Sequence, residues 1–103
     1  MEFNMNTKTY RAEIISNQSV QDDIIELLEQ EIEGIQYTVL PDAQGRGGKA
    51  KKLGDTVWPE MNFVLFCYVD LDGAKKIKAI FNAIKEMFPQ EGMSLFFAES
   101  AEV

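Results

Sequence analysis

One segment rich in glycine and basic residues carries most of the chemistry that this chain could perform. Its members are Gly45, Arg46, Gly47, Gly48, Lys49, Lys51 and Lys52, which include four of the ten basic residues. Backbone N–H groups of glycines can approach an anion closely, and an arginine can hold phosphate or carboxylate through two parallel hydrogen bonds. Glycine clusters are more often simple turns, so the composition alone leaves both a simple turn and a small-anion site at Gly45, Arg46, Gly47, Gly48 and Lys49 open.

The later part of the same segment has the residue types of a partner-binding surface. Lys51 and Lys52 could contact an acidic partner, although exposed lysines in loops often serve only solubility. Trp58 and Pro59 follow, and tryptophan is enriched at interaction hot spots. Trp58 either meets a partner protein or packs onto a neighbouring subunit, and both interpretations stay open.

Enzymatic and metal-binding functions have few residues to support them. The chain has no histidine, one cysteine in a strand-like run, and no P-loop motif, so we predict no catalytic residue and no enzyme. Oxygen donors such as Asp42, Asp55 and Glu60 could hold a hard cation weakly, but no copper or zinc site is expected. We also expect no tightly bound cofactor.

Charge and hydropathy exclude several partners. The net charge of −7 opposes binding to nucleic acid, and no apolar run is long enough for membrane insertion. Residues 1–7 lack the pattern of a signal peptide and are expected to be flexible. The 103 residues are therefore interpreted as one cytoplasmic domain.

The elements around the glycine-rich segment follow from hydrophobic periodicity. Strands are predicted at residues 9–15, 35–40, 62–70 and 92–99, with Pro41 ending the second strand. A helix capped by Ser19 runs to Gly34, and a second helix capped by Asp72 ends before Pro89. The order βαββαβ favours an α+β ferredoxin-like sandwich with the first and third strands at the centre.

The third predicted strand raises a question of burial. Between Asn62 and Asp70, the residues that would point to either face of the sheet are apolar, and Phe96 in the fourth strand is apolar as well. Both helices, however, would cover only one face of the sheet. An exposed apolar face of this size is typical of an interface. The pattern predicts that the chain forms a homo-oligomer through this face.

The sequence also resembles that of a known protein family. The sequence Gln44-Gly45-Arg46-Gly47 and the later run from Thr56 to Asn62 are similar to a divergent bacterial subgroup of the PII-like signalling superfamily, to which nitrogen regulatory P-II proteins belong. The resemblance spans roughly residues 8 to 100. It implies a homotrimer in which residues 42–61 form the long T-loop between the second and third strands.

The resemblance further implies a function. Family members bind an adenine nucleotide or another small anionic effector in clefts between subunits. The resemblance therefore implies ligand binding at the T-loop base, here residues 45–49, and at the turn before the last strand, here Gln90, Glu91 and Gly92. They control a membrane transporter or an enzyme through the T-loop. This chain lacks the basic residues that many members carry at that turn, and it has no T-loop tyrosine. The alternatives are a sensor associated with metal tolerance or efflux, and an interaction module without a ligand.

Overall fold

The computed structural model describes residues 8–46, 51–52 and 60–101 of the chain. The elements in this described part are β1 (Thr9–Asn17), α1 (Gln21–Glu31), β2 (Thr38–Ala43), β3 (Gly45–Arg46), β4 (Lys51–Lys52), β5 (Asn62–Val69), α2 (Leu71–Met87) and β6 (Met93–Ser100). A 3-10 turn at Gln18–Val20 joins β1 to α1. The N-terminal segment predicted to be flexible, residues 1–7, lies outside the described residues.

Four of these strands form one antiparallel sheet. Their order is β2-β5-β1-β6, so the first and the fifth strands lie at the centre, as predicted for the first and third main strands. The short strands β3 and β4 pair with each other in a separate two-stranded ribbon, which the sequence did not predict. The predicted α+β arrangement is confirmed.

Both helices cover one face of this sheet and form the core with it. Alternate residues of the two central strands point into this core, and the apolar residues of the two helices meet them there. The buried apolar residues include Ala12, Ile14, Phe63, Leu65 and Cys67 of the strands and Ile24, Leu28, Ile77, Ile80 and Ile84 of the helices. The buried helix residues recur at helical spacing, so each helix presents one apolar face to the sheet.

Each helical segment is capped two residues earlier than predicted. Asn17, rather than Ser19, caps the turn before α1, because the Asn17 Oδ1 atom accepts a hydrogen bond from the Ser19 N–H at 3.2 Å. Asp70, rather than Asp72, caps α2, and its Oδ1 atom lies 2.8 Å from the Gly73 nitrogen. In each case the capping residue is the one at which extended backbone ends, which leaves the predicted cap inside the turn.

The second strand also differs from its prediction. It begins at Thr38 and continues through Pro41 to Ala43, with an irregularity between Leu40 and Ala43. Proline is tolerated there because β2 lies at the edge of the sheet in the described part of the chain, so no strand on its outer side requires a hydrogen bond from an N–H at this position. Asp42 adopts a positive φ of 56°, and this conformation turns the chain toward the glycine-rich segment.

The second sheet face carries no covering element in the described part of the chain. We call it the open face; its strand residues are Thr9, Arg11, Glu13, Ile15, Asn17, Thr38, Leu40, Asn62, Val64, Phe66, Tyr68, Ser94, Phe96, Ala98 and Ser100. Leu40, Tyr68 and Phe96 are exposed on it. The Arg11 guanidinium lies over the Phe66 ring, 4.8 Å from its centroid, and 2.6 Å from the Glu13 carboxylate.

Candidate functional site

The first part of the candidate site is the base of the glycine-rich segment. Gly45 and Arg46 form β3 and pair antiparallel with β4, so that Gly45 lies opposite Lys52 and Arg46 opposite Lys51. Arg46 is exposed to solvent. The ribbon therefore places two basic positions opposite each other directly after the end of β2.

Gly45 is packed closely against the start of β5. A Cβ atom at position 45 would lie 2.9 Å from Nδ2 of Asn62, closer than Cβ contacts in proteins allow. Asn62 in turn lies opposite Ala43 of β2 and opposite Asn17 of β1. The absence of a side chain at Gly45 therefore lets the loop base contact an amide at the end of the open face.

Asn17 connects three segments at this same end of the sheet. Its backbone N–H donates to the Gly92 carbonyl at 3.3 Å, and its Nδ2 atom donates to Glu60 Oε2 at 3.2 Å. Its Oδ1 atom accepts from Ser19, and only 4% of the residue is exposed. The neighbouring Gln18 N–H donates to the Met61 carbonyl at 3.0 Å. The turn before β6 and the exit of the loop thus meet at the end of β1.

The predicted ligand-binding residues have different outcomes. Gly45 and Arg46 at the loop base and Gly92 at the turn lie at the same end of the sheet, linked through Asn62 and Asn17. Gly47, Gly48 and Lys49 lie outside the described residues, as do the predicted partner-binding residues Trp58 and Pro59. Lys51 and Lys52 form β4. Their predicted contacts with ligand or partner stay predictions.

Sequence reasoning did not assign Asn17, Glu60 and Asn62 to a ligand site. In the sequence, Asn17 lies just beyond the predicted first strand, and Glu60 is considered only as an oxygen donor that could hold a hard cation weakly. The available signal was the position of Asn17, because asparagine is a favoured cap where a strand gives way to a helical turn. Their proximity to the loop base depends on the pairing of β1 with β5, which no local pattern reveals.

The described residues offer little for catalysis or metal binding. Burial raises the pKa of the Cys67 thiol, which disfavours the thiolate that a nucleophilic cysteine needs. Within residues 8–46, 51–52 and 60–101 there is no group of three or more cysteine, aspartate or glutamate side chains that could hold a metal ion. Asp55, one of the predicted oxygen donors, lies outside these residues. None of the described helices is both long and apolar enough to span a membrane.

Comparison with known proteins identifies the fold. No family model matches the chain, and no curated protein matches its sequence. CPII, a nitrogen regulatory PII-like protein from Thiomonas intermedia K12 solved with ADP, AMP and bicarbonate, is similar with a TM-score of 0.68 and 14% identity, over 92% of this chain and 90% of that chain. This chain has the PII-like fold. The resemblance predicted from the sequence is confirmed at that level.

Two further solved structures are similar to this chain, and one of them is a designed protein. A PII-like signalling protein from Thermus thermophilus is similar with a TM-score of 0.64 and 17% identity, over 90% of this chain and 87% of that chain. The de novo designed protein Foldit4 is similar with a TM-score of 0.60 and 11% identity, over 90% of this chain and 99% of that chain. Because a designed protein shares the PII-like fold, function must be argued from the residues of the site.

Proposed function

We propose that this chain is a PII-like regulatory protein that binds a small anionic effector, an adenine nucleotide or a similar anion, at the base of its glycine-rich loop. One observation carries the proposal: the loop base at Gly45 and Arg46 lies at the same sheet end as the turn at Gly92, linked to it through Asn62 and Asn17. A ligand at this end could contact both segments.

The chemistry of this sheet end suits an anion. Arg46 is exposed and has five donors in a fixed fork that matches phosphate or carboxylate. Gly45 offers backbone without a side chain, and Gly47, Gly48 and Lys49 would extend the same chemistry along the loop. CPII, which has the same fold, was solved with ADP, AMP and bicarbonate, and these anions are therefore the first effectors to test.

We further propose that the open face is covered by other copies of the chain in a homotrimer. The face exposes Leu40, Tyr68 and Phe96 to solvent, while its charged strand residues, Arg11 and Glu13, already neutralise each other. A second copy of the same face would therefore meet an apolar, charge-balanced surface. Asn17 and Asn62 lie at its edge, so that effector clefts would form where two copies meet.

The proposed output is control of a partner, a membrane transporter or an enzyme, by the loop. Lys51, Lys52, Trp58 and Pro59 are the residues proposed to contact that partner. An effector regulates the loop only if it binds one loop conformation more tightly than another. The chain itself would act as a regulator and not as an enzyme.

Thermal unfolding with and without ligands tests effector binding. The panel contains ADP, AMP, ATP, cyclic nucleotides, bicarbonate, 2-oxoglutarate and divalent cations. A ligand present at about 100 times its dissociation constant adds about 2.7 kcal/mol to the free energy of unfolding, which raises the melting temperature by several degrees in a domain of this size. We expect one anionic compound to give a saturable increase.

A pair of variants makes this measurement specific to the site. Arg46→Ala should abolish the increase, while Lys78→Ala, which removes an exposed positive charge from α2, should retain it. A flat response of the unchanged protein across the panel would contradict effector binding and favour an interaction module without a ligand. An increase with divalent cations alone would instead favour a metal sensor.

A further inference from the structure

Asn17 occupies an unusual position for a polar side chain. It is almost fully buried at the last position of β1, and both the oxygen and the nitrogen of its side-chain amide form hydrogen bonds. The oxygen caps the turn that leads into α1, and the nitrogen donates to the Glu60 carboxylate at the exit of the loop. One rigid amide therefore joins the structural core to the segment that leaves the glycine-rich loop.

Capping alone does not explain why this residue is asparagine. Aspartate and serine cap helical turns about as well as asparagine, because each offers an oxygen to the free N–H groups. Aspartate has no hydrogen to donate to a carboxylate, and serine has only one short hydroxyl for both hydrogen bonds, whereas asparagine has a separate acceptor oxygen and donor nitrogen. A hydrogen bond to a charged group contributes more than one between neutral groups, and the Asn17 end of this bond is buried although Glu60 itself is exposed.

We propose that Asn17 is a positioning residue for the candidate effector site, acting through its hydrogen bond to Glu60. The contact holds the loop exit against the end of β1, where the Gln18 N–H also binds the Met61 carbonyl. This docking keeps Asn62 beside Gly45 and so preserves the loop base in the geometry that an anion would meet. The part of this inference that concerns ligand affinity rests on the proposed effector binding.

A reciprocal exchange of donor and acceptor tests the contact. Asn17→Asp keeps the cap but places a second carboxylate against Glu60, which should repel the loop exit. In the double variant Asn17→Asp with Glu60→Gln, the glutamine amide donates to the aspartate and restores the hydrogen bond in the opposite direction. Glu60→Gln alone keeps an acceptor oxygen for Asn17 and serves as the matched control. Glu60→Ala removes the contact without changing the buried residue, Asn17.

Amide hydrogen exchange, resolved by residue with NMR, is the primary measurement, since it requires no ligand. The Gln18 N–H is the reporter because it is bonded to Met61 at the loop exit. We expect its exchange to be roughly ten times faster or more in Asn17→Asp and Glu60→Ala. Exchange should be close to that of the unchanged protein in the double variant, and only slightly faster in Glu60→Gln, where a neutral oxygen replaces the charged acceptor. Amides in the middle of β1, such as that of Ile14, should keep their protection in every variant.

The possible results distinguish a failure of the positioning role of Asn17 from a failure of effector binding. Unchanged Gln18 exchange in both Asn17→Asp and Glu60→Ala, or a double variant that exchanges as fast as Asn17→Asp, would overturn the positioning role. If the panel identifies an effector, its dissociation constant should rise in Asn17→Asp and recover in the double variant; a constant that does not change would also overturn the role. If no compound binds the unchanged protein, effector binding fails, while the exchange rates still decide whether Asn17 positions the loop exit.

Discussion

At the scale of single residues, the environment of Cys67 in the fold disfavours the reactive thiolate form of its side chain. It lies in the middle of β5 on the face that the helices cover, and 2% of it is exposed. Burial raises the pKa of its thiol because the thiolate loses its hydration there. We therefore expect the sole cysteine of the chain to react slowly while the sheet and helices stay packed together, and rapidly once they separate.

Labelling of Cys67 with a thiol reagent tests this description. We expect slow labelling of the folded protein and fast labelling in urea at the same pH. Because the folded pKa is raised, the protonated thiol contributes stability that is complete below about pH 8.5. That contribution is lost as pH rises through the folded pKa, so labelling of the folded protein should keep rising with pH after labelling in urea has levelled off above about pH 8.5. Equal labelling rates for folded and unfolded protein would contradict the burial of the thiol.

The residues of the site were only partly predictable from the sequence. Gly45 and Arg46 stood out as residue types that could contact an anion, whereas Gly92 was indicated only by the family resemblance. Asn17 and Glu60 did not stand out, since they are 43 positions apart and meet only through strand pairing. Single-residue chemistry can be recognised in a sequence, whereas a contact between distant segments requires the register of the sheet.

At the scale of elements, periodicity identified the main strands and both helices, but their ends were less predictable. The second strand passes through Pro41, because an edge strand can accept a proline that a central strand could not. The sequence predicts the cap of α2 at Asp72 instead of Asp70 because aspartates stand on both sides of the first helical residue, Leu71, and only the packed end of β5 selects between them. The residue at which a helix or strand begins or ends depends on contacts with neighbouring elements, and the fold determines which elements are neighbours.

The first turn of α2 is packed so closely that it requires a glycine. A Cβ atom at Gly73 would lie 2.8 Å from the Cβ of Val69 and 3.4 Å from Oδ1 of the capping Asp70. Alanine favours a helix over glycine by about 1 kcal/mol, but a clash with a Cβ atom can be relieved only by moving backbone. We therefore expect Gly73→Ala to lower the free energy of unfolding by about 1–3 kcal/mol in urea denaturation.

Gly92→Ala is the matched control for this change. No heavy atom lies within 4 Å of a Cβ at position 92, and its φ is not positive, so alanine should change stability by less than about 0.5 kcal/mol. A Gly73→Ala variant as stable as Gly92→Ala would show that the junction between β5 and α2 has room to relax.

At the scale of the whole molecule, the distribution of charge and apolar surface favours self-association through the open face. A net charge of −7 makes copies of the chain repel one another at most orientations. The open face differs, because its charged strand residues, Arg11 and Glu13, form a pair at 2.6 Å. Removing such a pair from water without separating it costs far less than burying one unpaired charge, so apolar contact around it can dominate.

Two equally exposed hydrophobic residues allow a matched test of this assembly. Phe96 lies on the open face with 61% exposure, and Met87 lies at the end of α2 with 62% exposure. Phe96→Glu would bury an unpaired carboxylate at the proposed interface, which costs several kcal/mol and should dissociate the trimer. Met87→Glu adds the same charge to a surface outside the interface and should leave the trimer intact.

Sedimentation equilibrium measures the outcome directly as mass. The unchanged protein and Met87→Glu should have three times the chain mass of 11.7 kDa, and Phe96→Glu should have the mass of one chain. Circular dichroism at low concentration would establish that the dissociated variant keeps its helices and sheet. A monomeric unchanged protein would refute the assembly, and dissociation of both variants alike would show that added negative charge, rather than the open face, controls association. Because the proposed effector clefts form where copies meet, Phe96→Glu should also lose any ligand-induced increase in melting temperature although Arg46 is unchanged.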